Sequence, residues 1–484
     1  MDYLSANSEQ ESCKDSESSE CERTKLPLAL EMMYNVSSVI EDADQVEALA
    51  TATDLLLRSP EKLGQHEQVT GGYIIGKLTK SFGKLSEKGV RFEDLRPAAT
   101  AIVDTVSTLV EAGVQDQETL KDESHLLPPR KRKAYKEKLE KERQEKEEEN
   151  WKLQEEAMSA LMEHVDQIAN ALSNSPGVPH KPTPILTPDM SLLIKKVSRS
   201  GSGEEPDSVS LPAGKVDFPK HKALLPFTAS SDVNWKITGF NDNPYVWDRS
   251  AGDIKTSVVD VSLEDAEGNE IPVNGLSEAF TIVLQNSPEM FRVGHLVNYK
   301  HYDNSTMAFR DFQALENATY GVTLTVRTAG FIREAKMYGK LGGDPNDTDH
   351  DFRMLLLWED FDITGYDGNL TFTAFILLPV GKVNNGSGQY TLGLLIDECL
   401  SQKCNYSADI VRISCRYWDS KDGSGAWKGD GCKVSSKTTR EETVCLCDHL
   451  TAFGADIVRV PTRDSVYSRS VVGQDSSMVC LDEQ

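Results

Sequence analysis

No run of about eighteen apolar residues occurs in this 484-residue chain, so the sequence offers no membrane-spanning helix. The opening "MDYLSANSEQESCKDSESSEC" has no apolar core of the signal-peptide kind. Cationic residues are scarce: 52 Lys and Arg stand against 77 Asp and Glu, a net charge of −25. That imbalance excludes a general nucleic-acid binder, because phosphate contacts need clustered Lys and Arg. No repeat of solenoid period is evident. What is present suits a folded, solvated chain with some polar low-order sequence, 38% hydrophobic and 27% charged. Its length allows two or three domains, each with its own core.

The missing leader, taken literally, points to the cytosol; the cysteines and sequons point elsewhere. Nine cysteines occur, at 13, 21, 399, 404, 415, 432, 445, 447 and 480, six of them within residues 399–447. Asn-X-Ser/Thr acceptors stand at Asn35, Asn304, Asn317, Asn346, Asn369, Asn385 and Asn405. A single sequon says little, but six between residues 304 and 407, beside the cysteine cluster, favour an oxidising secretory setting with disulfides and glycans. The expected location is the cell surface, on the extracellular side of the plasma membrane, and the expected amino terminus is incomplete.

Residues 27–172 read as helices. "DADQVEALATATDLLLRSP" puts Val46, Leu49, Ala50, Thr53, Leu56 and Leu57 on one stripe, with Asp44 as N-cap, Glu47 three residues on, and Ser59-Pro60 as the stop. "AATAIVDTVSTLVEAGV" repeats the pattern through Ile102, Val106, Leu109 and Val110 and closes at Gly113. A long charged helix then gains an apolar face at Leu153, Ala157, Leu161, Val165, Ile168 and Leu172; "RKRK" at 130–133 reads as its basic start. Residues 173–225, rich in Pro, Ser and Gly, read as a linker, with one short element at "MSLLIKKV". From 226 to 460 the period becomes twofold, through Val259, Val261 and Leu263, Ile271 and Val273, Phe280, Ile282 and Leu284, Val322, Leu324 and Val326, and Leu392, Leu394 and Ile396. Short alternating strands with turn residues between them predict an antiparallel β-sandwich. Residues 1–26 and 461–484 read as a disordered segment and a polar tail.

"CLCDHLTAFGADIV", residues 445–458, concentrates the chemistry. A zinc reading would use Cys415, Cys432, Cys445, Cys447 and His449, but one residue between Cys445 and Cys447 is too short a gap for paired ligands. A disulfide reading uses that gap, since residues i and i+2 of a strand point the same way. Cys399 and Cys404 can close a short loop of their own; four cysteines allow three pairings, and spacing alone does not choose. A third reading coexists with the second. Thr451 is a hydroxyl nucleophile, His449 is the side chain suited to take its proton, and the acyl group within reach is the carbonyl of Leu450.

Cys415-x-x-Trp418, Trp427 four residues before Gly431-Cys432, and "CLCDHLTAFG" together resemble the GPCR proteolysis site (GPS), the last part of the GAIN domain. That domain occurs in adhesion G-protein-coupled receptors and in polycystin-1-like and egg-jelly-receptor proteins. The resemblance is strong at 411–460 and looser upstream. It implies an α+β, multi-part fold, with a helical subdomain followed by a sandwich ending in a disulfide-linked GPS. It implies pairing of Cys415 with Cys445 and Cys432 with Cys447, His449 as general base, Thr451 as nucleophile, and one cut after Leu450. The module's own C-terminal strand would stay bound, and no cofactor is implied. "FGAD" with "VP" beyond it, and "NPYVWD…TSVVDVSL", look more like the polycystin branch. The runner-up is an adhesion-receptor ectodomain; a third possibility is a disulfide-knotted module that does not cut. Family members continue into membrane spans, which this chain lacks, and engage extracellular partners of unknown identity here.

"GGDPNDTDHDF" offers Asp344, Asp347, Asp349 and Asp351 to a cation, yet lacks the EF-hand glycine and the acid at the twelfth position, where Trp358 falls. It reads as an acidic surface loop. His164 shows no ligand spacing; Trp235, Trp247 and Trp358 read as core or rim. Cys13 and Cys21 can pair, leaving Cys480 odd.

Overall fold

The structure is a computed structural model, and it describes residues 19–59, 63–115, 129–178, 184–197, 208–219, 233–248, 251–265, 269–291, 296–298, 307–366, 368–379, 382–383, 387–420 and 425–464. Cys13, Cys480, Asn304 and Asn385 lie outside them, as does the side chain of Cys21.

The amino-terminal part is a helical layer: Ser19–Val36, Ala43–Leu57, Gln65–Glu87, Phe92–Gln115 and Pro129–Asn174. In Ala43–Leu57 the expected stripe is buried at Val46, Leu49, Ala50, Thr53 and Leu57. Its cap is Asp42, not Asp44: the Asp42 carboxylate accepts from the Gln45 N–H at 2.8 Å, and Asp44 joins the first turn. Asp42 satisfies one of the orphan donors at the helix start. Gln65–Glu87 buries Ile74, Ile75, Leu78, Phe82 and Leu85 at helical spacing. On Pro129–Asn174 the first fully buried side chain among those described is Met158, Trp151 packs partly buried against the same core, and Leu153 stays 39% exposed. Each fully buried large side chain of this kind contributes roughly 1.5–3 kcal/mol. Among the described residues no helix is long and apolar enough to cross a membrane.

In its described part the stretch expected to be a linker is largely strands, one of them the element expected at 190–197. It contains strands Ile185–Leu186, Met190–Val197, Ser208–Leu211 and Gly214–Asp217, so the sheets begin about forty residues before position 226. Its prolines and glycines punctuate tight turns between short strands. At Gly214 an added Cβ would stand 2.1 Å from the Val283 carbonyl. The expected tail is likewise shortened, since Thr462–Asp464 pairs with Ala308–Ala314.

The described strands form three antiparallel sheets. The largest runs 185–186, 190–197, 233–240, 258–264, 452–459, 404–419, 319–328, 369–377 and 362–366, with 426–428 and 297–298 paired to the 404–419 strand. A second sheet runs 352–357, 334–341, 388–395, 308–314 and 462–464; the third runs 432–434, 442–447, 280–285, 214–217 and 208–211. Alternation along Cys404–Asp419 shows how they stack. Tyr406, Ala408 and Ile410 join the second sheet's core, with Phe312, Tyr390 and Leu392. Cys415, on the opposite face, joins the third sheet's core with Phe280, Ile282 and Cys445. The helical layer packs against Leu192, Ile194, Phe240, Val258 and Ala452 of the large sheet. The strand Ala452–Arg459 therefore runs through the middle of the molecule.

Candidate functional site

Two disulfides of different reach hold the site. Cys445 and Cys447 lie two apart in Glu442–Cys447 and both are fully buried. Cys445 bonds to Cys415, joining the third sheet to the large one. Cys447 bonds to Cys432 directly across the ladder, where the two are register partners. Cys399 and Cys404 close a short loop before the 404–419 strand. Among the described residues no group of His, Cys, Asp and Glu converges on a metal. The acids of the 344–351 loop are engaged elsewhere: Asp347 accepts from the Tyr338 hydroxyl at 2.7 Å, Asp349 pairs with Lys340, and Asp351 accepts from the Leu341 N–H at 2.8 Å.

His449, Leu450 and Thr451 make the turn between Glu442–Cys447 and Ala452–Arg459. Their backbone is pinned on both sides: Leu450 N–H donates to Val273 O at 3.2 Å, and Thr451 O accepts from Val261 N–H at 3.1 Å. His449 is 8% exposed. Its Nδ1 lies 3.2 Å from Asp448 Oδ1. A carboxylate only accepts, so Nδ1 donates here, and in the neutral imidazole the lone pair is then on Nε2. Nε2 is buried without a hydrogen-bond partner among the described residues. The Tyr417 ring meets the imidazole edge-to-face at 4.3 Å, and Phe453 lies 5.6 Å away. The Thr451 hydroxyl donates to Trp418 O at 2.6 Å, so in this arrangement its proton faces a backbone carbonyl and not His449.

Trp418, Trp427 and Trp247 sit on the helical side. Trp418 stacks on Tyr245 at 4.3 Å and meets Trp247 and Trp427 at 5.7 Å each. These rings share a core with the helices, so Trp418 links the helical layer to Thr451. Below them Lys236 Nζ lies 2.8 Å from Glu264 Oε1 and 3.3 Å from Asp166 Oδ1. Burial works against its charge, yet Asp166 and Glu264 hold Lys236 above its usual value. Neighbouring Asp260, the register partner of Ala452, is pushed from 3.8 to about 7, chiefly by burial and then by Asp166. Burial also raises Asp456 on the 452–459 strand, against the pull of Arg416 3.0 Å away.

With that geometry in view, the comparisons are specific. Residues 398–455 match the family model GPS, GAIN subdomain B. Over 81 residues the chain is 33% identical to Polycystin-1-like protein 3 of Mus musculus, a stretch covering 16% of this chain and 4% of that protein. Over 52 residues it is 44% identical to Adhesion G-protein coupled receptor G2 of Mus musculus, covering 10% and 5%. Over 42 residues it is 50% identical to Adhesion G-protein coupled receptor G6 of Danio rerio, covering 8% and 4%. These matches therefore span only a twentieth or less of each relative. The full extracellular region of zebrafish Gpr126/Adgrg6 aligns over 78% of this chain and 34% of its own, at 12% identity and a TM-score of 0.32.

The GPS cysteines pair as the resemblance implied, and His449, Leu450 and Thr451 fall in one turn. Sequence reasoning did not find Asp448, Tyr417 or the Trp418 carbonyl. Tyr417 was legible only as the neighbour of Trp418, and a carbonyl leaves no mark in sequence. Asn35, Asn317 and Asn346 are exposed. Asn369 is half-buried, and Asn405, on a central strand, has its Oδ1 enclosed. Trp235 and Trp247 are buried and Trp358 lies at a rim.

Proposed function

We propose that the chain is the extracellular GAIN and GPS module of a polycystin-1-like membrane protein, which cuts itself once between Leu450 and Thr451 and keeps its C-terminal strand. The observation that carries this reading is a buried, unpartnered His449 Nε2 two residues before a threonine hydroxyl. The hydroxyl first leaves the Trp418 carbonyl, and His449 Nε2 takes its proton. Thr451 Oγ adds to the Leu450 carbonyl carbon, the C–N bond breaks, and the imidazolium returns the proton to the departing Thr451 nitrogen. Water then hydrolyses the ester, leaving a Leu450 carboxylate and restoring the hydroxyl on an amino-terminal Thr451. The site turns over once, so the module is not an enzyme in the ordinary sense.

Retention of the cut strand is supported by its place in the sheet. Residues 452–459 pair with 411–417 on one side and with 259–260 on the other, and Phe453, Ala455 and Ile457 are buried to within 1%. Three disulfides and exposed sequons support a secretory, cell-surface setting. Adhesion and sensing, with movement of the held strand as the signal, fit that arrangement. The adhesion-receptor reading is favoured by its higher identity over a shorter stretch, 44% over 52 residues against 33% over 81. The test is His449→Ala made in a secretory host: cutting is expected to stop while secretion stays near normal. Unchanged cutting would remove His449 from the mechanism, and lost secretion would make it structural.

A further inference from the structure

We infer that Gly431 is a positioning residue for the His449 imidazole, its missing side chain forming one wall of the slot that holds the ring. The functional consequence rests on the self-cleavage reading above; the slot itself does not. Gly431 precedes Cys432, whose register partner and disulfide partner is Cys447. That double tie sets Gly431 opposite Asp448, and the Gly431 carbonyl accepts the Asp448 N–H at 3.1 Å. A Cβ on Gly431 would stand 2.6 Å from Asp448 Oδ1, 2.9 Å from His449 Nδ1 and 3.1 Å from His449 Cε1. Non-bonded atoms prefer roughly 3.5 Å or more, so a single methyl group and the observed ring position are incompatible.

Two aromatic rings limit where the imidazole can move. Tyr417 meets it edge-to-face at 4.3 Å, and the Tyr417 hydroxyl is itself held, donating to Asp430 Oδ1 at 3.1 Å. A side chain at 431 would therefore turn the imidazole out of the slot and separate Nδ1 from Asp448, moving the base nitrogen. Displacement of a reacting group by about 1 Å can cost on the order of 100-fold in rate. Gly431 also has φ +77°, a backbone conformation that glycine adopts freely. Asparagine tolerates that conformation better than alanine but still carries a Cβ, which separates the demands of the turn from those of the slot.

The experiment compares Gly431→Ala and Gly431→Asn for the fraction cut after secretion, with Cys432–Cys447 pairing checked by peptide mapping. Both variants are expected to form the disulfide and to lose about tenfold or more in cutting rate. In parallel, deuterium exchange at the imidazole C2 of His449 is followed in the Thr451→Ala background, where no cut intervenes; adding Gly431→Ala is expected to speed it several-fold. Asn cutting as fast as Gly would mean that the glycine serves only the turn and would overturn the inference, as would unchanged exchange. If native protein stays whole while exchange rises, the slot stands and the cleavage reading fails.

Discussion

The helical layer and the segment that matches the GPS model are held together by different means, and the difference shows in what each demands of its sequence. The helices bury stripes of Leu, Ile, Val, Ala and Phe in one core with no disulfide among their described side chains. Any apolar residue of suitable volume at i, i+3 and i+4 meets that requirement. Between 398 and 455 the demands are individual. Cys445 must reach one sheet and Cys447 its neighbour strand, and Trp418 must offer its ring to one face and its carbonyl to Thr451. The family match covers this segment and stops there.

The contrast can be broken or sharpened by substitution. The largest effect is expected from Phe82→Ala in the helices and Phe453→Ala in the central strand, both fully buried, at about 3–5 kcal/mol each. Chemical denaturation measures the loss. Phe82→Ala should leave the site turn intact, whereas Phe453→Ala also removes a neighbour of His449; equal effects on cutting would erase the distinction. Removing Cys415–Cys445 by paired serine substitutions opens a loop of 30 residues and should cost about 3–4 kcal/mol.

A smaller effect lies at the joint between the layers. Asp260 is raised in the folded state from 3.8 to about 7. Between those values the folded form holds a proton that the unfolded form has released. The contribution of Asp260 to stability therefore falls as pH rises from about 4 to about 7 and is flat beyond. Asp260→Asn should remove that slope and raise stability near neutrality by about 1–2 kcal/mol, read from melting temperature against pH. Least of all, Asp42→Ala should cost about 1 kcal/mol through the lost helix cap, with no effect on cutting.

Periodicity carried much of this architecture: the stripe at Val46, Leu49, Ala50 and Thr53 and the alternation at Val259, Val261 and Leu263 are the buried positions observed. Within 185–217 it found only the element at 190–197 and missed the other strands, which at two to four residues are too short for a period to stand out against prolines and glycines. It also misplaced the cap, because Asp42 and Asp44 both precede the apolar stripe and only backbone geometry separates them. The turn at 449–451 was legible as chemistry. Its walls were not, since the contacts of Gly431, Tyr417 and the Trp418 carbonyl come from strands distant in sequence.

Intact-mass analysis of the secreted chain under denaturing, reducing conditions tests the central claim most directly. The account predicts two species, the smaller beginning at Thr451 and ending at Gln484, and a single uncut species for Thr451→Ala. A single mass for the whole native chain, or a small fragment with any other first residue, would contradict it.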